Sequence, residues 1–293
     1  MAVQDGIIKL KTKYKIVVVC LSVLLVVSYF NWKYEVIAIN PLWGEEKCEL
    51  KVMTWNVHCS EGADNDRQRR IAELILKEDA DFVQLNEFNQ DSCLVIDSLL
   101  KLKYPFTEEY QSHRICGDIF YGKRAMKNSG HVYIPIQGKA IQTIKATITI
   151  GKDSVQIFGV HMASNHYDDS SIDKEFVSDT TSYDRYMDAQ EKRCFQAHWT
   201  KKAVQESEHP VIVMGDMNDF SCSAPLDTLS SCGLKNAWWE GGNGYGATFH
   251  DGWMRLRIDH ILYSEKLKLQ SIKVIETNLS DHNPVVAGFS INN

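Results

Sequence analysis

The hydrophobic positions of this chain fall into short apolar runs, and several of them end in a small group of polar side chains. Residues 50–55 lead into Asn56-Val57-His58, residues 82–85 into Asn86-Glu87, residues 154–160 into His161, and residues 211–214 into Gly215-Asp216-Met217-Asn218-Asp219. Runs of this length with glycine or polar ends predict buried strands. Helical spacing intervenes: Ile71, Leu74 and Ile75 line one face of a helix predicted over 66–77, and a second helix over about 91–101 stops before Pro105. Over 140–150 the period changes to two, with Ile144, Ala146, Ile148 and Ile150 on one face and Thr143, Lys145, Thr147 and Thr149 on the other. That is a half-buried strand, which Gly151-Lys152-Asp153 turns back into the next one. Residues 162–181 are rich in Asp and Ser without an apolar period and read as a long surface loop; 182–206 read as a helix, ended by Pro210. Around Pro225, Leu226 and Leu229 a short helical stretch is expected, then a strand over 257–263 carrying Asp259. Ser280-Asp281-His282-Asn283 precedes the last strand, 284–290.

The N-terminus follows a different pattern. Lys9, Lys11, Lys13 and Lys15 precede an uncharged run over 16–30. Taken as a helix, residues 14–32 reach about 28 Å, close to the ~30 Å of a bilayer's hydrocarbon. Tyr14, Trp32 and Tyr34 then fall at the interfaces, with Lys15 and Lys33 reaching outward. The lysines predict a cytoplasmic N-terminus and a single-pass chain whose bulk lies outside the cytoplasm. No small-x-small site follows Phe30 closely, which favours a retained anchor over a cleaved signal peptide. The expected division is a basic flank at 1–15, a transmembrane anchor at 16–32, a tether at 33–47 and one catalytic domain at 48–293.

Composition sharpens this only in part. At 293 residues, 44% hydrophobic, the chain can bury a large core without staples. A net charge of -6 speaks against a broad phosphate-neutralising surface, although metal-binding carboxylates make any such site acidic. Eight cysteines without Cys-x-x-Cys spacing speak against a zinc cluster. Cys222 and Cys232 are the pair most suited to a bridge in an oxidising compartment, with free thiols the default. No protein partner is expected, and the chain reads as a monomer.

Together the strand ends present Asn56, Glu87, His161, Asp216, Asn218, Asp259, Asp281 and His282. Carboxylates suit Mg2+, or Mn2+, which take oxygen ligands and keep several waters. Asp216 can hold or deprotonate a water, and Asn218 can donate to a developing oxyanion. A histidine beside carboxylates can be fixed in one tautomer, or charged, to steady phosphoryl oxygens. Each residue also has a plainer reading: His161 as a core histidine, Asp259 as a cap or ion-pair partner, Asp281 as a cap. Trp238, Trp239 and Trp253 suit buried packing, or a lipid- or base-stacking rim.

Six segments in order carry a resemblance: Trp55-Asn56-Val57-His58, Gln84-Leu85-Asn86-Glu87, Gly159-Val160-His161, Gly215-Asp216-Met217-Asn218-Asp219, Arg257-Ile258-Asp259-His260-Ile261-Leu262 and Ser280-Asp281-His282-Asn283-Pro284. Over about residues 50–290 the chain resembles the endonuclease/exonuclease/phosphatase superfamily, which includes deoxyribonucleases, sphingomyelinases and inositol polyphosphate phosphatases. The resemblance implies an α/β four-layer sandwich, two mixed β-sheets flanked by helices, here preceded by one N-terminal transmembrane helix. It implies metal binding at Glu87 with Asn56 and Asp281 nearby, and catalysis by His161, Asp216, Asn218 and an Asp259–His282 pair. Candidate substrate contacts are His58, Asn165 and Arg257, with pairing to a core carboxylate an equal alternative for Arg257. The implied function is divalent-metal-dependent phosphodiester hydrolysis, with nucleic acid as the default substrate. A phospholipid headgroup, a phosphorylated small molecule, or a catalytically silent binding domain are the alternatives.

Overall fold

The structure, a computed structural model, describes residues 2–41, 48–58, 64–111, 117–136, 139–165 and 182–292. Its elements begin with α1 (Ala2–Tyr34), β1 (Ala38–Ile39), β2 (Leu50–Asn56), α2 (Asn65–Glu78), β3 (Phe82–Phe88) and α3 (Leu94–Lys101). A β-rich stretch follows: β4 (Phe106–Gln111), β5 (Gly117–Gly122), β6 (Met126–Ile136), β7 (Lys139–Ile150) and β8 (Asp153–His161). Next come α4 (Ser182–Gln205), β9 (Val211–Asp216), α5 (Ala224–Ser230), β10 (Leu234–Asn236), α6 (Ala237–Gly241) and β11 (Asn243–Gly244). The chain closes with β12 (Phe249–Asp251), β13 (Met254–Leu256), β14 (Asp259–Ser264), β15 (Leu267–Val274) and β16 (Val285–Ile291).

Two six-stranded mixed sheets, β15-β16-β2-β3-β5-β4 and β10-β14-β9-β8-β7-β6, lie face to face. Between them Leu50, Val52, Phe82, Phe120, Ile144, Ile157, Ile212, Met214, Ile261 and Phe289 form the largest core cluster. The alternation of β7 is what puts Ile144, Ala146 and Ile148 into it. On the outer face of the first sheet, Ile71 and Ile75 of α2 and Ile96 and Leu100 of α3 pack on Met53, Val83 and Ile119. On the outer face of the second, Ala197 and Val204 of α4 and Leu226 and Leu229 of α5 cover Phe158, Val160 and Val213. The molecule is thus the four-layer α/β sandwich that the sequence motifs imply.

Local chemistry moves some boundaries. The helix expected from residue 91 begins at Leu94, because the Asn89 side chain accepts from the Asp91 and Ser92 amides and closes a turn first. The strand expected from 257 starts its ladder at Asp259, since the Thr248 hydroxyl takes the Ile258 and Asp259 amides. β15 is an element for which the sequence reading made no provision, although Leu267 and Leu269 are buried and Lys268 between them is exposed. Most of the loop expected over 162–181 lies outside the described residues. Of the tryptophans, Trp238 packs as expected, whereas Trp253 sits at the β12–β13 turn and is 92% exposed. Cys222 and Cys232 are both free thiols.

Within α1, residues 17–34 are long and apolar enough to cross a membrane, and none of that stretch is buried. By length and composition it is a candidate membrane span or a signal sequence. Past it, the chain is tied to the sandwich: β1 pairs with β11, the Asn40 amide donates to the Trp239 and Gly242 carbonyls, and Arg257 donates to the Glu35 and Val36 carbonyls.

Candidate active site

Register places the site. In the second sheet β8 runs parallel to β9 and β9 antiparallel to β14, so that His161, Asp216 and Asp259 occupy one row across three neighbouring strands. In the first sheet β2 and β3 run parallel, with Asn56 opposite Asn86 and Glu87 next along. A register shift between Leu85 and Phe88 in the β3–β5 ladder re-aims that end of the strand. The two rows meet where the Asn56 amide donates to Glu87 Oε1 at 2.9 Å and to Asp216 Oδ2 at 3.1 Å.

Backbone strain concentrates here. His58, Glu87 and Asn218 are three of the six non-glycine residues with positive φ among the described residues, and such geometry costs of order 1–3 kcal/mol each and collects at functional sites. Gly215 has φ +138°, and a Cβ there would stand 1.9 Å from the Val160 carbonyl oxygen. Only glycine lets β9 approach β8 closely enough for Asp216 to sit beside His161.

Asp216 lies almost wholly buried, with its Oδ1 accepting from the Asn218 amide and its backbone N–H donating to Asn86 Oδ1. Burial and then the Asp259 charge raise its pKa, against the opposing pull of His282 and His161. His282 places Nδ1 2.8 Å from Asp259 Oδ2 and Nε2 3.7 Å from Asp216 Oδ2. Burial disfavours its charged form, but Asp259 and Asp216 outweigh it and raise the pKa to about 10. Its main chain is held too, because the Trp55 indole donates to the His282 carbonyl at 2.8 Å and the Ser280 hydroxyl accepts from the His282 amide.

His161 Nε2 stands 3.9 Å from both Glu87 Oε1 and Asp216 Oδ2. Burial would lower its pKa; Asp118, Asp216 and Glu87 together raise it. Asn218 donates its side-chain amide to the Met162 carbonyl. Asp281 accepts from His58 at 3.0 Å, and although burial raises its carboxyl, that bond and the His282 charge bring it down to about 2. Asn165 and Arg257 point elsewhere. Asn165 Oδ1 accepts from Arg193, while Arg257 donates to the Tyr245, Val36 and Glu35 carbonyls and to the Ser221 hydroxyl.

Two buried residues not singled out in the sequence complete the group. Asp118, on β5, lies 3.6 Å from His161 Nδ1, and Asn86 donates to it at 2.6 Å. Arg193 of α4 is fully buried, with Nε 3.0 Å from Asp219 Oδ2 and further bonds to the Ala163 carbonyl, Asn165 and Gln190. An acid at the head of the short apolar run 118–121 was a readable signal for the first; the second has none.

Asp216, Asp259 and His282 offer ligand atoms all within 4.8 Å of one another, a group that could hold a metal. Among the described residues Asp259 Oδ1 is buried without a partner. Yet the trio is sealed, and magnesium keeps several waters. Glu87 and Asp281, with side chains 25% and 34% exposed, are the carboxylates with room for them.

Beside this site His260 is buried, donating Nε2–H to the Asp219 carbonyl and accepting at Nδ1 from Asn236. Burial, then the Arg257 charge, depress its pKa to about 3. Below about pH 6.5 the unfolded chain takes up a proton that the folded one refuses until about pH 3, so stability is lost as pH falls through that window, by about 1.4 kcal/mol per unit. Between pH 6.5 and 5 the wild type is therefore expected to lose up to about 2 kcal/mol more than His260→Gln in urea unfolding. Equal losses would show that His260 is not the titrating group.

Strand-end acids, amides and histidines thus gather between the two sheets. The chain belongs to the Endonuclease/Exonuclease/phosphatase family, whose sequence profile matches residues 53–282. No curated protein matches the chain significantly by sequence. Among solved structures, an endonuclease/exonuclease/phosphatase family protein from Leptotrichia buccalis has a TM-score of 0.62 at 17% identity, covering 83% of this chain and 100% of that one. TDP2 from D. rerio, complexed with single-strand DNA product, gives 0.64 at 17%, covering 82% and 98%. Truncated Caenorhabditis elegans TDP2 gives 0.58 at 19%, covering 82% and 96%. At these identities the likeness is one of fold.

Proposed function

We propose that this protein is a membrane-anchored, divalent-metal-dependent phosphodiesterase whose catalytic domain lies outside the cytoplasm. The observation that carries the reading is the Asn56 amide bonded to both Glu87 and Asp216, which joins a partly exposed carboxylate edge to a nearly buried acid–histidine group that it places at the floor of the same site. Glu87, with Asn56 and Asp281, would hold Mg2+ or Mn2+. The cation supplies Lewis-acid polarisation of a phosphoryl oxygen. Asp216, whose raised pKa suits a base, takes the proton of the attacking water. His282, kept cationic by Asp259 and Asp216, steadies the charge that grows on the phosphoryl oxygens. His161 and the Asn218 amide hydrogen-bond the same oxygens, and His58 lies at the edge, on Asp281.

Nucleic acid is the default substrate, supported by the fold shared with a TDP2 complexed with single-strand DNA product. A phospholipid headgroup is the second reading, favoured by the direct attachment of the sandwich to an apolar helix.

The deciding experiment is magnesium-dependent hydrolysis by the full chain in detergent, offered plasmid DNA, sphingomyelin and bis-nitrophenyl phosphate. Glu87→Gln is expected to raise the magnesium needed for half-maximal rate at least about tenfold, the factor set by losing one charged ligand. Nicking of plasmid supports the nuclease reading and turnover of lipid alone the second. No turnover of any substrate would leave a silent binding domain.

A further inference from the structure

Apart from the active site, a cleft of about 370 Å³ opens where α1 meets the sandwich, lined by Asn31, Ile37, Ile39, Asn40, Trp239 and Glu240. It is a built feature. The Asn31 side chain brackets the Ile37 backbone, donating to its carbonyl at 2.9 Å and accepting from its amide at 2.8 Å. Asn40 donates to the Trp239 and Gly242 carbonyls and takes its own backbone bond to Asn243. β1 runs against β11 beside it, and the buried Arg257 clasps the carbonyls of Glu35 and Val36.

Both asparagines are thus occupied in holding the walls, and Trp239, Glu240 and two isoleucines make up the rest of the lining. Glu240 has no hydrogen-bond or ion-pair partner among the described residues, and Ile39 at the rim is 82% exposed. The neighbourhood is acidic. Glu35, raised first by burial and opposed by Arg257, also feels Asp227 and Glu240. An anion is disfavoured in such a place. A lining that includes a tryptophan and a glutamate suits a substituted ammonium ion, and apolar rim residues suit the chain that carries it.

Position narrows the ligand further. Asn31 belongs to the end of the apolar stretch 17–34, so on the anchor reading above, on which this inference rests, the cleft opens at headgroup depth. Val36, Ile37 and Ile39 carry the exposed apolar surface of α1 onto the sandwich. We propose that this cleft binds the ammonium headgroup of a phospholipid, of the ethanolamine or choline type, in the membrane that α1 spans, and thereby seats the catalytic domain on the bilayer.

The test uses the full chain reconstituted in nanodiscs of phosphatidylglycerol with phosphatidylethanolamine or phosphatidylcholine, with retained lipid read by native mass spectrometry. Ammonium lipids are expected to be retained over phosphatidylglycerol, and Glu240→Gln and Trp239→Leu each to reduce that preference about two- to fivefold, the weight of one exposed cation–π or ion-pair contact. Turnover of bis-nitrophenyl phosphate stays unchanged in Glu240→Gln. Equal retention of all lipids by the wild type, or no change in Glu240→Gln, overturns the proposal. Saturable binding of free choline without lipid preference assigns the cleft to a soluble amine and overturns it as well. Alkaline carbonate extraction of the same chain separates the two failures: release from membranes defeats the anchor, while a membrane-resistant chain without headgroup preference defeats only the cleft.

Discussion

Asp216→Asn is expected to lower kcat by about 10²–10⁴-fold, the usual contribution of a positioned general base, while KM changes little. The substitution keeps the size of the side chain, and Oδ1 can still accept from the Asn218 amide, so the fold should survive. His282→Ala is expected to fall in the same range, because it removes the cation 3.7 Å from Asp216 and leaves Asp259 buried without a partner on either oxygen. The double variant should lose little more than either single one, as residues acting as a unit are far from additive. pH carries a second signature. The acid limb of kcat follows protonation of Asp216, and burial and Asp259 place it above the ordinary carboxylate range. Activity therefore rises with pH through that limb and falls only when His282, at about 10, gives up its charge. An unchanged acid limb in Asp259→Asn would count against this assignment, since removing that charge lowers the Asp216 pKa.

Polarity at strand ends was legible because it contradicts its surroundings. A buried run such as 211–214 has no packing reason to finish in Gly215, Asp216 and Asn218, and the register of β8, β9 and β14 turns that oddity into one row. Order along the chain did the rest, since six such ends in sequence carry the family resemblance that implies the sandwich. What the pattern could not convey was support from beneath. Asn86 was read with Glu87 as a strand end, but its work is internal: one amide reaches Asp118, the Val160 carbonyl and the Asp216 amide, stitching both sheets together. Asp118 looked like one acid among many until β5 paired with β3 and brought it under His161. Arg257 is open in the sequence to two readings, a substrate contact or a core ion-pair partner. A cation two residues from a candidate catalytic acid suggests phosphate, yet positions two apart share a face only where the strand is regular, and the ladder begins after Arg257. Its guanidinium meets main-chain carbonyls at 35, 36 and 245 instead.

Arg193→Met is expected to destabilise the fold by about 3–5 kcal/mol, the cost of breaking a buried ion pair by removing one partner. No strong apolar stripe marked this residue in the sequence, because α4 mixes charges with its apolar positions: Lys192 next to it is partly exposed and pairs with Asp188 on the surface. Arg193 turns inward, and its planar head meets Asp219, the Ala163 carbonyl, Asn165 and Gln190 together, a fork that lysine cannot reproduce. Gln196, one turn on, accepts from the Ala163 amide and donates to the His161 carbonyl. α4 thus grips the ends of β8 and β9 from outside while the sheets grip them from within. Loss of the guanidinium strands the Asp219 carboxylate beside Asn218, so urea unfolding should show the full deficit. Arg193→Lys should recover only part of it. Pairing Arg193→Met with Asp219→Leu should recover most of it, because the uncompensated charge goes with the second change. If the double variant were as unstable as the single one, the deficit would come from the lost bonds to Ala163 and Asn165, and the buried charge would not be its source.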